Sequence, residues 1–252
     1  MKTLFLTFTF TFFCLIVKAQ PTGHYMPFSL GYGFETVKDV SLSPVSYSGN
    51  LGRIGIGYYY QNKKWISMLD IAGLAGQQYP DVNPESGYRN TLTILGRATY
   101  HLSRRIYTKN DWNLFAGILS HNTWDYREHS RYGNSSVNYT GLFSFGPVIT
   151  VQKPFELFSK NFTINYQLGL PFGTYYLRPG YIKPFLNEQI SNKGFAFWGD
   201  YYTIDSRADL IWTLKGGNQL RLSYNWDYSQ LDLLNKVQIA THQLSISTVF
   251  KF

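Results

Sequence analysis

From Phe28 onward the chain alternates apolar and polar residues with a period of two, and helical spacing is sustained nowhere. Successive side chains of a strand point to opposite faces, so this pattern predicts strands with one apolar side and one polar side. Leu220, Leu222, Tyr224, Trp226 and Tyr228 share one face, against Arg221, Ser223, Asn225 and Asp227. The C-terminal segment repeats the pattern, with Leu244, Ile246, Thr248, Phe250 and Phe252 against Gln243, Ser245, Ser247 and Lys251. Earlier segments do the same, among them Phe28, Leu30, Tyr32 and Phe34, then Ile54, Ile56, Tyr58 and Tyr60.

Counted in this way there are ten strands, at about 28–37, 50–60, 65–77, 88–102, 112–124, 137–152, 161–176, 197–214, 219–231 and 237–252. The connections after the second, fourth, sixth and eighth are compact (Gln61 to Lys64, Ser103 to Asp111, Lys153 to Lys160, Lys215 to Asn218), whereas most of the others are long and polar. Short turns at one end and long loops at the other predict an all-β, antiparallel, up-and-down transmembrane barrel. An even count puts both termini on the short-turn side. Pro147 and Pro171 fall inside the sixth and seventh strands, where each removes a ladder donor, so a bulge or kink is expected there and a count of eight or twelve stays open.

Alternation alone does not say which face is outside, because a soluble barrel keeps its apolar face within. Here the strands are long enough to cross a bilayer at a tilt, the apolar face is rich in aromatics, and the polar face carries groups that lipid would not tolerate. The first nineteen residues read separately. Lys2 is followed by an apolar run from Leu4 to Val17 and then Lys18-Ala19, the pattern of a signal peptide cleaved before Gln20. The barrel domain is then 20–252, and the sole cysteine, Cys14, leaves with the signal. Lys2 and Lys18 leave too, which takes the 23 basic residues to 21 against 15 acidic ones. With 18% aromatic and 15% charged residues, disorder is excluded, and the lack of a mature cysteine excludes a disulfide framework.

A signal ending in Ala-Gln, alternating aromatic strands and a last strand closing on Val249-Phe250-Lys251-Phe252 resemble a small outer-membrane β-barrel of Gram-negative bacteria. The resemblance covers the whole mature chain as architecture and singles out no subfamily. It implies an outer-membrane location with both termini periplasmic and a bilayer with lipopolysaccharide as surroundings. It also implies that Phe250 and Phe252 are part of the signal read by the barrel-assembly machinery.

The polar faces place Glu35, Arg53, Asp70, Arg97, Asp205, Arg207, Asp209, Arg221, Asp227 and Lys251 in the lumen, five of each sign. A barrel of eight to ten strands is just wide enough for side chains to fill, so this set predicts an interior sealed by ion pairs. Gly31, Gly33, Gly55 and Gly57 share the inward parity and relieve crowding there. The compact turns carry Lys63, Lys64, Arg104, Arg105, Lys109, Lys153, Lys160 and Lys215 against Asp111 and Glu156, a cationic rim suited to anionic phospholipid headgroups. Spread over four turns, these cations make no nucleic-acid groove.

Catalytic chemistry has one foothold, the segment Leu119 to Ser130. It packs His121, His129, Ser130 and Glu128 near the outer rim, and His129, Ser130 and Glu128 are the candidates for a lipid or lipid A hydrolase. Its order departs from the His-x-Ser-Asn pattern of outer-membrane lipid hydrolases. No histidine pair has metal-ligand spacing, so neither metal nor cofactor is expected. The expected function is a non-enzymatic, porin-like barrel with a sealed lumen, acting through its outer loops or as an accessory subunit of an envelope complex. A narrow solute channel is the alternative, and a hydrolase a further one.

Overall fold

The computed structural model describes residues 22–40, 43–82, 90–129, 137–178, 193–233 and 236–252. They form twelve antiparallel strands: β1 (Gly23–Asp39), β2 (Tyr47–Gln61), β3 (Trp65–Pro80), β4 (Thr91–Lys109), β5 (Trp112–His129), β6 (Val137–Leu157), β7 (Lys160–Gly169), β8 (Gly173–Leu177), β9 (Lys193–Phe197), β10 (Tyr201–Thr213), β11 (Gln219–Leu231) and β12 (Val237–Lys251). Ten of them close a ring in the order β1 to β7, then β10, β11 and β12, which pairs back to β1. β8 and β9 stand outside it as a hairpin on the loop end of β6.

The expected seventh strand is therefore β7 and β8 together, broken where the prolines forecast. β6 pairs with β7 up to Val148 opposite Gly169, and with β8 from Phe145 opposite Gly173. Three residues, Leu170, Pro171 and Phe172, lie against two, Gly146 and Pro147. The Leu170 N–H donates to the Pro147 carbonyl at 3.0 Å and the Phe172 N–H to the Phe145 carbonyl at 3.1 Å, so the surplus residue, Pro171, is the one with no donor to lose.

At the turn end the hairpins are tight. Asn110-Asp111 and Phe158-Ser159 carry positive φ at both residues (49° and 64°, 51° and 57°), the mirror-image turn whose twist matches the flanking strands. β4 runs to Lys109 and β6 to Leu157, beyond the expected ends at 102 and 152, so Arg104, Arg105 and Lys153 lie on strand ends and not in turns.

Parity holds around the ring apart from a bulge at Ile106 on β4, close to the turn end. On the outside, Ile164, Leu210, Leu222, Ile246, Leu30 and Ile54 follow one another in register from β7 to β2, all exposed. Two residues to one side of this row lie Phe162, Trp212, Leu220, Thr248, Phe28 and Ile56, and to the other Tyr166, Ala208, Tyr224, Leu244, Tyr32 and Gly52, aromatic and aliphatic residues intermixed. An outer surface this apolar suits lipid, and in water it would be a contiguous patch far beyond what a soluble monomer shows. The lumen is layered. At the turn end Tyr25, Tyr59, Ile66, Met68, Phe115 and Val249 pack together, and at the loop end Leu142, Tyr176, Ala196, Tyr201, Leu231 and Val237 do. Between them the lumen is mostly polar, with one aliphatic cluster, Leu51, Ala72, Leu74 and Leu95, along the wall of β2 to β4.

Candidate functional site

The polar lumen is a chain of ion pairs that crosses the barrel at successive levels. Nearest the turn end, Arg53 on β2 meets Asp70 on β3 at 3.1 Å, and Arg207 on β10 reaches the same carboxylate from across the ring at 2.9 Å. Arg207 also holds Asp209 through Nε at 2.9 Å, and Asn165 donates to the other oxygen of Asp209 at 2.9 Å. Both Asp70 oxygens and both Asp209 oxygens are thus occupied. Close packing is built into the wall here, since a Cβ on Gly55 would lie 2.6 Å from the Ser29 hydroxyl and 3.1 Å from Arg53.

One level higher, Arg97 on β4 meets Asp227 on β11 at 2.5 Å, and His121 on β5 meets Asp205 on β10 at 2.8 Å. The ligand atoms of His121, Asp205 and Asp227 lie within 4.8 Å of one another, a buried grouping able to hold a metal ion. It was not expected from the sequence, where these residues stand far apart. Arg97 already supplies a positive charge at Asp227, which a cation would have to share.

Higher again, Arg127 lies between Asp125 and Glu35, and Gln78 and Thr241 donate to Glu35 at 2.8 and 3.2 Å. At the loop end Arg178 points one nitrogen, Nη2, between the two oxygens of Asp39, 2.9 Å from each, and Asn138 donates to Asp39 at 3.2 Å. Charge-assisted contacts of this kind are the stronger hydrogen bonds available to a protein.

Of the ten residues expected in the lumen, nine face inward and belong to these levels or line the space beside them. Lys251 does not. It shares the inward parity but stands past the last layer, exposed at the turn end, where its own N–H donates to Asn218. Four charged residues were missed: Asp39, Asp125, Arg127 and Arg178. The fifth strand was expected to stop at 124, yet the parity of His121 continues unbroken through Thr123, Asp125, Arg127 and His129, and that continuation was the available signal.

Of the catalytic candidates, His129 and Glu128 point to opposite faces of β5. His129 is buried on the lumen side, its Nδ1 2.7 Å from the Thr91 hydroxyl and its ring edge-on to Tyr47. Glu128 points outward from the next position, and Ser130 lies outside the described residues. Ser120 and Asn122 bond to each other on the outer side, while His121 turns inward.

Phe250 and Phe252 both face outward. Phe250 lies edge-on to Phe28 at 6.1 Å, and Phe252 is 6.0 Å from the His24 ring. At the same end Lys153 sits over Trp112 at 4.8 Å, Lys160 over Trp212 at 4.7 Å and Arg104 over Trp65 at 5.9 Å. Cation and aromatic alternate around this rim, as they do where a protein leaves a bilayer.

An even-stranded, closed, antiparallel cylinder, apolar outside and charged within, is a β-barrel of the outer-membrane type. No protein-family model matches the chain, and no curated protein matches it by sequence. Among solved structures it is similar to the outer-membrane protease OmpT from Escherichia coli, at 7% identity and a TM-score of 0.49 over 94% of this chain and 99% of that one. It is also similar to the translocator domain of the autotransporter NalP from Neisseria meningitidis (7% identity, TM-score 0.43, 93% and 90% covered). A third likeness is to the beta domain of the Bordetella autotransporter BrkA (13%, 0.41, 92% and 100%). At these scores the likeness is one of barrel shape alone, and any functional reading rests on the residues of this lumen.

Proposed function

We propose that the protein is a non-enzymatic barrel of the bacterial outer membrane whose lumen is sealed, and that it acts through its outer loops or as an accessory subunit of an envelope complex. The observation that carries this reading is the stack of ion pairs spanning the lumen between two apolar layers. Three small cavities follow one another from Arg97 and Asp227 to Arg221, each with room for about one or two water molecules, and the ion pairs on their walls leave too little space for a conducting column. Export through the signal peptide at residues 1–19, insertion by the barrel-assembly machinery through Phe250 and Phe252, and periplasmic termini complete the reading. The cationic, tryptophan-rich rim then lies against inner-leaflet phospholipid, and the opposite rim against lipopolysaccharide. Conductance of the purified protein in a planar bilayer tests it. A folded barrel that carries no current is the expected result, and steady, salt-dependent current would replace this reading with that of a narrow channel.

A further inference from the structure

Arg53, Arg97, Arg127, Arg178 and Arg207 each have a carboxylate within salt-bridge distance, whereas Arg221 on β11 has none among the described residues. Arg221 is 2% exposed. Its guanidinium lies over the Tyr59 ring at 5.2 Å and brings Nη1 to 4.0 Å from the Met68 sulfur, while Nε and Nη2 have no hydrogen-bond partner. Stacking on an aromatic face attracts the cation but offers its N–H edge no acceptor. A buried guanidinium left in this condition is among the least favourable arrangements a protein interior can hold.

The same Arg221 lines a small cavity just above the apolar layer at the turn end, with Arg53 and Arg207 on its walls. Ser245 and Ser247 of β12 also face into it, both buried, and neither hydroxyl is hydrogen-bonded to another described residue. Ser247 is the register partner of Arg221 on one side and of Ser29 on the other, so hydroxyl and guanidinium groups form one row across three strands. The one carboxylate on the cavity wall, Asp70, already spends both oxygens on Arg53 and Arg207. At this level three guanidiniums are thus set against the two carboxylates Asp70 and Asp209, a local excess of one positive charge in a described lumen where seven carboxylates face six guanidiniums overall. A water could accept from Arg221 but would leave that charge uncompensated.

We infer that this cavity is a binding site for a small monovalent anion, a halide by size, held by the Arg221 N–H edge and the hydroxyls of Ser245 and Ser247. The cavity has room for about one water-sized particle, which excludes phosphate or sulfate. The site lies apart from the His121–Asp205–Asp227 grouping and does not depend on whether the lumen conducts. The bound ion completes the lowest level of the charge network, which makes it a structural anion that stabilises the barrel.

Bromide is the probe. The full barrel in detergent, exchanged into sodium gluconate, is titrated with sodium bromide at constant ionic strength while its thermal unfolding midpoint is followed by circular dichroism. The midpoint should rise with bromide by several degrees and reach a plateau, as a ligand bound only by the folded state requires. Arg221→Met should abolish the rise. Should that variant fail to fold, the double variant Ser245→Ala, Ser247→Ala keeps the charge and should need at least tenfold more bromide for the same rise. Crystals grown in bromide should show an anomalous peak within hydrogen-bond reach of Arg221 Nη2. A wild-type midpoint indifferent to bromide, a response unchanged in both variants, or water alone at that position would each overturn the inference.

Discussion

Leu244, Ile246, Thr248 and Phe250 point out of β12, and Gln243, Ser245, Ser247 and Val249 point in, so two environments that share no chemistry are separated by one backbone. The outer face asks little of its residues individually. Any aliphatic or aromatic side chain of moderate size meets lipid equally well, and no partner has to be found. The inner face asks for specific partners: Arg127 needs both Asp125 and Glu35, and Arg178 needs Asp39 from a strand far along the chain. Damage should therefore be local and additive outside, and large and contingent on partners inside.

The largest effect should come from breaking one level of the lumen. Arg127→Met leaves Glu35 and Asp125 buried together without a cation, and should lower stability by about 3–5 kcal/mol, read as a fall in the urea unfolding midpoint. Combining it with Glu35→Gln and Asp125→Asn should recover most of that loss, because the cost is uncompensated charge and not lost packing. Next, Leu30→Arg at the middle of the aliphatic row should cost roughly 2–4 kcal/mol in a bilayer, and less in detergent, where the chain can adjust around it. No inward replacement should rescue it. The smallest effect belongs to the rim, where Lys153→Ala and Lys160→Ala should each weaken the preference for anionic over zwitterionic vesicles by about 1 kcal/mol, an effect lost in high salt.

The same contrast explains what could be read from the sequence. The two faces of each wall strand follow from alternation alone, since period two needs no knowledge of neighbours, and strand length, the aromatics and the charges on the polar face add which of the two meets lipid. The break at Pro171 followed as well, because proline cannot donate to the ladder wherever it lies. The lumen was legible only as a set of residues sharing a face. Alternation says that His121 and Asp205 both point inward, but not that β5 and β10 bring them to one height, which depends on the shear of the whole ring. The charged residues beyond Trp124 were lost for a simpler reason: Asp125, Arg127 and Glu128 look like loop residues in composition, though their parity is still that of a strand. Arg178 stands past the expected end of the seventh strand at 176, yet it follows β8 directly and closes on Asp39. Lys251 shows the opposite failure, correct in parity and wrong in depth.

The account stands on one face of each strand meeting lipid while the other meets neither lipid nor bulk water. If cleavage before Gln20 leaves the mature chain without cysteine, single-cysteine variants can carry a spin label without interference. Labels placed in turn at positions 243 to 250 in bilayer vesicles, with collision rates measured against oxygen and against a water-soluble nickel chelate, test that claim directly. The account predicts high oxygen accessibility at 244, 246, 248 and 250, and low accessibility to both reagents at 243, 245, 247 and 249. Strong nickel collisions at the odd positions would contradict the sealed lumen, and a reversed phase would contradict the membrane-spanning barrel itself.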